Sequence, residues 1–455
     1  MPILPETILS IPDIKVVGDF NSDINGVSID TRSLKAGELF VAFFGTQVDG
    51  HDFIQNAISR GASAVMASTN WEGSKTWDSD IPLILSGDPV KTLGLLATAH
   101  RNRFDIPLIA ITGTNGKTST KSLLAHLLQT QYTVLYTDGN FNNHIGLPIS
   151  LLSLDDNHEI AVIEMGASAK GDIEYLCNIA LPNQGLITNI SAAHTEFFND
   201  IDTIQLTKGE LFHHLAENDG QIFVNADDER VKHLSIDLPK QIDFGFTDGV
   251  EYRYQMQGPD HEGCYELGYD GHMVHLEQPG RVFPLNAAAA LTIARSNGIN
   301  SDQAAQALES YHGETGRMQK LVFGEVNFFN DAYNANPASA KAGFETLSDM
   351  QLDGRKILIF ADMLELGDHS PELHRQTAKH MISAGFDYIF LVGLEVLHCV
   401  QYFKAQNISN FYHNVDKRPA IQNFVNLLTP GDTVYLKGSR GMKLEEFIDA
   451  YKEQK

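Results

Sequence analysis

The chain has 455 residues, 43% of them hydrophobic, which is material for several buried cores and, at ~150 residues per domain, for about three domains. Its 33 basic against 58 acidic residues leave a net charge of -25, which lacks the basic footprint that a nucleic-acid backbone requires, so no nucleic acid is expected as a partner. A small anionic substrate stays possible, held locally by Lys, Arg, magnesium and helix ends against the global field. No uncharged apolar run approaches the ~20 residues of a membrane helix, so no membrane insertion is expected. The opening MPILPETILSIPDIK has no basic stretch followed by an apolar one, and a cytoplasmic location is expected. Cys177, Cys264 and Cys399 are odd in number and far apart, which reads as reduced packing thiols rather than a disulfide framework.

In chain order, residues 1–85 read as a first small unit. It has short strands around 26–30 and 39–44 and a helix over 53–60, with no phosphate loop of its own. Residues 86–318 alternate apolar strands with helical stretches, the strands expected at 106–112, 133–137, 160–164, 185–190 and 221–225. That alternation predicts an α/β unit with a mostly parallel sheet and helices on both faces, its ligand site beyond the carboxyl ends of the strands. Residues 319–455 form a third unit, a second α/β layer structure with buried strands at 356–360, 388–392 and 433–436. The stretch 251–279 reads as a β-rich excursion.

The first strand of the middle unit runs into Gly113-Thr114-Asn115-Gly116-Lys117-Thr118-Ser119 and then an amphipathic helix. Glycines let a backbone approach phosphates and turn its N–H groups toward them, and the helix adds its positive end. Lys117 would reach the terminal phosphates of ATP and the Thr118 hydroxyl would hold magnesium. Only two residues separate the glycines, unlike the four of the common phosphate loop. The bland alternative is a tight turn with a solvated lysine in the first helical turn.

Glu164 ends the strand at 160–164, which suits magnesium, and His194 follows the next strand; both are expected near the edge where the phosphate loop opens. Asn140, Asn142 and Asn143 make an amide-rich turn that either binds a sugar-peptide ligand or serves turn chemistry alone. Asp331, Tyr333, Asn334 and Asn336 follow a strand at 326–329, and Arg317 either contacts phosphate or is a solvated hinge residue.

With these residues in place the chain resembles the Mur ligase family, ATP-dependent amide-forming enzymes of peptidoglycan precursor synthesis, over nearly its whole length. The resemblance implies that Gly113 to Ser119 cradle ATP, with Asn286 and Arg317 as further nucleotide contacts. It also implies that Thr118, Glu164, His194 and a carbamylated Lys208 bind two magnesium ions; on its residues alone, Lys208 would be an ordinary helix-surface lysine. Lys117, Glu164, His194 and Lys208 are then the catalytic set.

Asp30-Thr31-Arg32, the Asn140 to Asn143 turn, the Asp331 to Asn336 run, Ala361-Asp-Met-Leu-Glu-Leu-Gly367 and Lys437 to Arg440 resemble the member that adds D-alanyl-D-alanine to UDP-N-acetylmuramoyl-tripeptide. That implies a monomer acting on these small molecules. Asp30, Thr31 and Arg32 then fall to the uridine nucleotide; Asn140, Asn142, Asn143, Asp331, Tyr333, Asn334, Asn336, Lys437 and Arg440 are further substrate contacts. The Asp-Asn-Pro-Arg type of motif expected of the diaminopimelate- or lysine-adding relative is not found. One segment departs from the family pattern: Val282 and Phe283 stand where a polar pair often precedes Asn286. A folylpolyglutamate synthase, a nucleotide-driven switch and a non-catalytic scaffold are the alternatives.

Overall fold

The computed structural model describes residues 3–20, 23–45, 48–191 and 200–454. The central sheet has seven strands, all parallel, in the spatial order Tyr252–Arg253, Gln241–Gly245, Gln221–Asn225, Gln184–Ile187, Leu108–Thr112, Ile160–Glu164 and Val134–Tyr136. Its middle strands are continuous apolar runs with every residue of Leu108–Thr112 and Ile160–Glu164 buried, as expected of a parallel sheet covered on both faces. Helices Lys117–Leu128 and Phe283–Ser296 close one face around Ile109, Ile111, Leu124 and Ala288. Helices Pro89–Arg101, Gly146–Leu151, Asp172–Ala180 and Ile201–Glu217 close the other. From Leu108–Thr112 the chain crosses to one side for two strands and then to the other side for Gln184–Ile187, so a crevice opens at the carboxyl end of Leu108–Thr112.

The N-terminal sheet comprises Lys15–Val17, Leu83–Ser86, Ala64–Ser68, Leu39–Val41 and Val27–Ser28, and shares an apolar core with the second helical face through Leu39, Val41 and Ile84. The excursion at 251–279 divides. Tyr252–Arg253 extends the central sheet, while Gln255–Gln257, Tyr265–Tyr269 and His272–Leu276 make a separate antiparallel sheet. The C-terminal sheet orders Gln319–Phe323, Val326–Asp331, Thr433–Lys437, Lys356–Ala361, Tyr388–Val392 and Phe411–Asn414. Its first pair is an antiparallel hairpin and the rest is parallel. Val326–Asp331 and Thr433–Lys437 run in register, so Asp331 and Lys437 lie side by side at their carboxyl ends.

Candidate active site

The loop after Leu108–Thr112 can be built only with glycine at two positions. Gly113 and Gly116 have φ of +141° and +83°, and a Cβ would come within 1.9 Å of Thr188 Oγ1 at the first and 2.4 Å of Asn286 Oδ1 at the second. Helix Lys117–Leu128 starts at Gly116 with no side-chain cap, leaving its first N–H groups to face an anion. The segment after the strand Gln184–Ile187 braces the loop. Thr188 Oγ1 and Asn189 Nδ2 donate to the Asn115 carbonyl at 2.7 and 2.8 Å, and Ser191 N–H donates to Thr114 Oγ1 at 3.0 Å.

The charged groups gather around this loop. Lys117 Nζ is held by the Gly113 and Thr114 carbonyls at 2.8 and 3.1 Å, and burial lowers its pKa although the Glu164 carboxylate opposes the shift. Glu164 is buried at its strand end; Asn142 Nδ2 donates to its Oε1 at 2.7 Å, while its Oε2 is buried without a hydrogen-bond partner. A buried carboxylate oxygen left unpaired beside a phosphate loop is a donor suited to a hard cation such as magnesium.

Lys208, on helix Ile201–Glu217, is 5% exposed, so the helix-surface reading is wrong. Burial first, and then the nearby Lys117 ammonium, bring its pKa down to about 7. His194 lies outside the described residues.

The third unit faces the loop directly. Arg317 Nη2 donates to Thr118 Oγ1 at 2.8 Å while its guanidinium stacks 4.3 Å from the Tyr333 ring centroid, which places it in the site rather than in solvent. Asn336 Nδ2 donates to Asn115 Oδ1 at 2.7 Å, and its Oδ1 caps helix Pro337–Asp349 through Ser339 N–H. Asp331 Oδ2 accepts from Lys437 Nζ at 2.7 Å and from the Tyr435 hydroxyl at 2.8 Å. Tyr435 also forces glycine at 343, where a Cβ would meet its hydroxyl at 1.8 Å. Arg440 pairs with Glu445 and lies 5.9 Å from the Tyr333 centroid.

These groups line one cavity of about 820 Å³, which takes in Thr114 to Ser119, Glu164, Lys208, Asn286 and Arg317. Asn140, Asn142, Asn143, Asp331, Tyr333, Asn334, Asn336, Lys437 and Arg440 also border it. Within the asparagine turn the two readings separate: Asn143 Oδ1 accepts from Ile145 and Gly146 N–H and starts helix Gly146–Leu151, whereas the Asn142 amide holds Glu164. Gly113 shapes the loop without bordering the cavity. Asp30, Thr31 and Arg32 stand apart from it, Asp30 bound to Arg32 at the end of a short N-terminal strand. Sequence reading missed Tyr435 and Thr188, whose roles depend on neighbours distant in the chain. It also missed Glu365, which borders the cavity with φ of +65°.

Three family models cover most of the chain: "Mur ligase family, catalytic domain" over 23–85, "Mur ligase middle domain" over 111–294 and "Mur ligase, glutamate ligase domain" over 316–440. The UDP-N-acetylmuramoyl-tripeptide--D-alanyl-D-alanine ligase of Bacillus subtilis (strain 168) is 32% identical over 439 residues, 93% of this chain and 92% of that protein. The enzyme of the same name from Escherichia coli (strain K12) is 31% identical, covering 94% of each. Among solved structures, a MurF from Acinetobacter baumannii matches with a TM-score of 0.84 at 27% identity, over 95% of this chain and 94% of that one. The MurF ligase of Thermotoga maritima in complex with ADP matches with a TM-score of 0.81 at 28% identity, over 94% and 97%.

Lys117→Ala removes the cation at the mouth of the loop. Steady-state turnover of nucleotide should fall by ~10² to 10³, the loss typical of deleting one transition-state charge contact, with an unchanged melting profile. A folded variant of near-normal rate would contradict the phosphate-loop reading.

Proposed function

The chain belongs to the Mur ligase family, and on that premise we propose how it performs ATP-dependent ligation of UDP-N-acetylmuramoyl-tripeptide to D-alanyl-D-alanine, a step of peptidoglycan precursor synthesis. The observation that carries the reading is the composite cavity: a phosphate loop on the parallel sheet faces Asp331, Asn336 and Lys437 of the third unit across one space. The near full-length match to D-alanyl-D-alanine ligases rather than to folylpolyglutamate synthases removes the main alternative.

The chemistry follows from the substrate. A peptide carboxylate is a poor electrophile, so its oxygen first attacks the γ-phosphorus of ATP; ADP leaves, and the acyl phosphate carries a good leaving group. The dipeptide amine then attacks the acyl carbon, phosphate departs and the amine loses a proton. Lys117 and the uncapped helix start stabilise charge on the transferring phosphoryl group. Arg317 bridges Thr118 and Tyr333, joining the loop to the third unit as these steps proceed. Asn142 orients the Glu164 carboxylate.

Magnesium fits this donor set, with Thr118 and Glu164 on one ion and His194 and carbamylated Lys208 on the other; when bound, it would offset the triphosphate charge. Asn286, beside Gly116, borders the nucleotide. Asp30, Thr31 and Arg32 serve the uridine end on unit 1–85, residues 86–318 the nucleotide, and residues 319–455 the dipeptide. Among the described residues no helix is long and apolar enough to cross a membrane. We place the protein in the cytoplasm as a monomer that binds no nucleic acid.

Two measurements test this. Phosphate release should require ATP, UDP-tripeptide and D-alanyl-D-alanine together, because the acyl phosphate turns over only when an amine attacks; full-rate release with ATP alone would support a nucleotide switch.

Lys208 should act as a carbamate. Its depressed pKa of about 7 leaves much of the amine neutral at neutral pH and able to add carbon dioxide, so activity should fall as pH drops below 7 or when carbon dioxide is stripped. Lys208→Arg should lose turnover by tenfold or more, and Lys208→Ala should recover part of it with added formate or acetate. Wild-type turnover in Lys208→Arg contradicts the assignment.

A further inference from the structure

We propose that Asp260, Cys264 and His275 form a binding site for a borderline divalent transition-metal ion, best matched by zinc, on the small antiparallel sheet away from the catalytic cavity. One ligand atom from each of the three lies within 4.8 Å of the others. Tetrahedral bonds of ~2.0–2.3 Å set ligand atoms ~3.5 Å apart, so shifts of about an ångström complete the site. Carboxylate, thiolate and imidazole together match zinc, with water as the fourth ligand, and not magnesium, which takes oxygen donors.

The local fold holds this arrangement. Glu266 pairs with His275 and Tyr265 with Leu276, so Cys264, one residue before its strand, lies diagonally from His275 on the same face. Asp260 is fixed by its own turn: Oδ1 accepts from Glu262 and Cys264 N–H at 2.9 Å each, and its N–H donates to the Cys264 carbonyl at 2.8 Å. Those bonds occupy one carboxylate oxygen and leave the other for a cation. His275 is exposed, with no hydrogen-bond or ion-pair partner among the described residues.

The electrostatics point the same way. The Cys264 thiol is buried, and burial followed by the Asp260 and Glu262 carboxylates pushes its pKa up to about 12, with Glu277 adding to the shift. The neighbouring ammonium, Lys320, is paired with Glu262 at 2.6 Å. A divalent ion entering this negative field reverses the balance: the S–H bond breaks, sulfur binds the ion as thiolate and one proton goes to solvent. The same turn contacts the third unit, through Glu262 on Lys320 and Gly263 against Met350, so an ion here would stiffen that contact.

The test is a cobalt(II) titration of the metal-free, full-length protein at neutral pH, because a thiolate on cobalt gives a near-ultraviolet charge-transfer band that the oxygen donors around Glu164 cannot give. The site predicts a band saturating at one equivalent, bleached by one equivalent of zinc and accompanied by release of about one proton. Cys264→Ser should abolish it. His275→Ala, at an exposed position that leaves folding intact, should weaken cobalt binding by at least the ~10-fold seen for lesser perturbations of metal sites. A protein without the band, a band surviving in Cys264→Ser, or unchanged affinity in His275→Ala overturns the proposal.

Discussion

The active site exists only because two hydrogen bonds carry the third unit onto the phosphate loop. Arg317 reaches Thr118 from the joint that precedes the C-terminal sheet, and Asn336 reaches Asn115 from the cap of a C-terminal helix. Neither unit alone encloses the cavity: the parallel sheet supplies the phosphate cradle, and the C-terminal sheet supplies Asp331 and Lys437 at neighbouring strand ends. Groups on separate units must be held together to react, and a reactive acyl phosphate gains from the exclusion of water that such an enclosure gives. Asn336 combines the two tasks, since the side chain that starts its helix also touches the loop.

Within that enclosure the charges are set against one another. Lys117 and Lys208 are both desolvated, and each is turned from an ordinary ammonium by burial. Glu164 is the buried carboxylate beside them, with one oxygen held by Asn142 and the other unpaired. Two amines of lowered basicity and a half-satisfied carboxylate form an arrangement that is costly as structure alone and suits triphosphate chemistry. Asp331, by contrast, is fully engaged by Lys437 and Tyr435 and acts as a fixed anchor at the opposite wall.

Much of this was legible in the sequence where local rules govern. The strand, two glycines, lysine and helix at 106–128 stand where the pattern placed them, because glycine backbone freedom and apolar periodicity are properties of adjacent residues. The excursion at 251–279 was harder: its first strand joins a sheet whose other members lie far away in the chain, which periodicity does not encode. Lys208 could not be read as buried from one lysine in an amphipathic helix, since its burial comes from the elements packed over it. The asparagine turn was ambiguous for a related reason. Capping by Asn143 is local, but the contact of Asn142 with Glu164 spans 22 residues.

The account's central claim is that the link between units is part of catalysis and not incidental packing. A double-mutant cycle on Asn115→Ala and Asn336→Ser, the latter keeping a helix-capping side chain, isolates it when kcat/KM for ligation is measured for all four proteins. A coupling of ~0.5 kcal/mol or more, in the range found for residues in direct contact, is predicted. Effects that add to within ~0.3 kcal/mol would contradict it, and would mean that the third unit reaches the phosphate loop without this contact contributing to turnover.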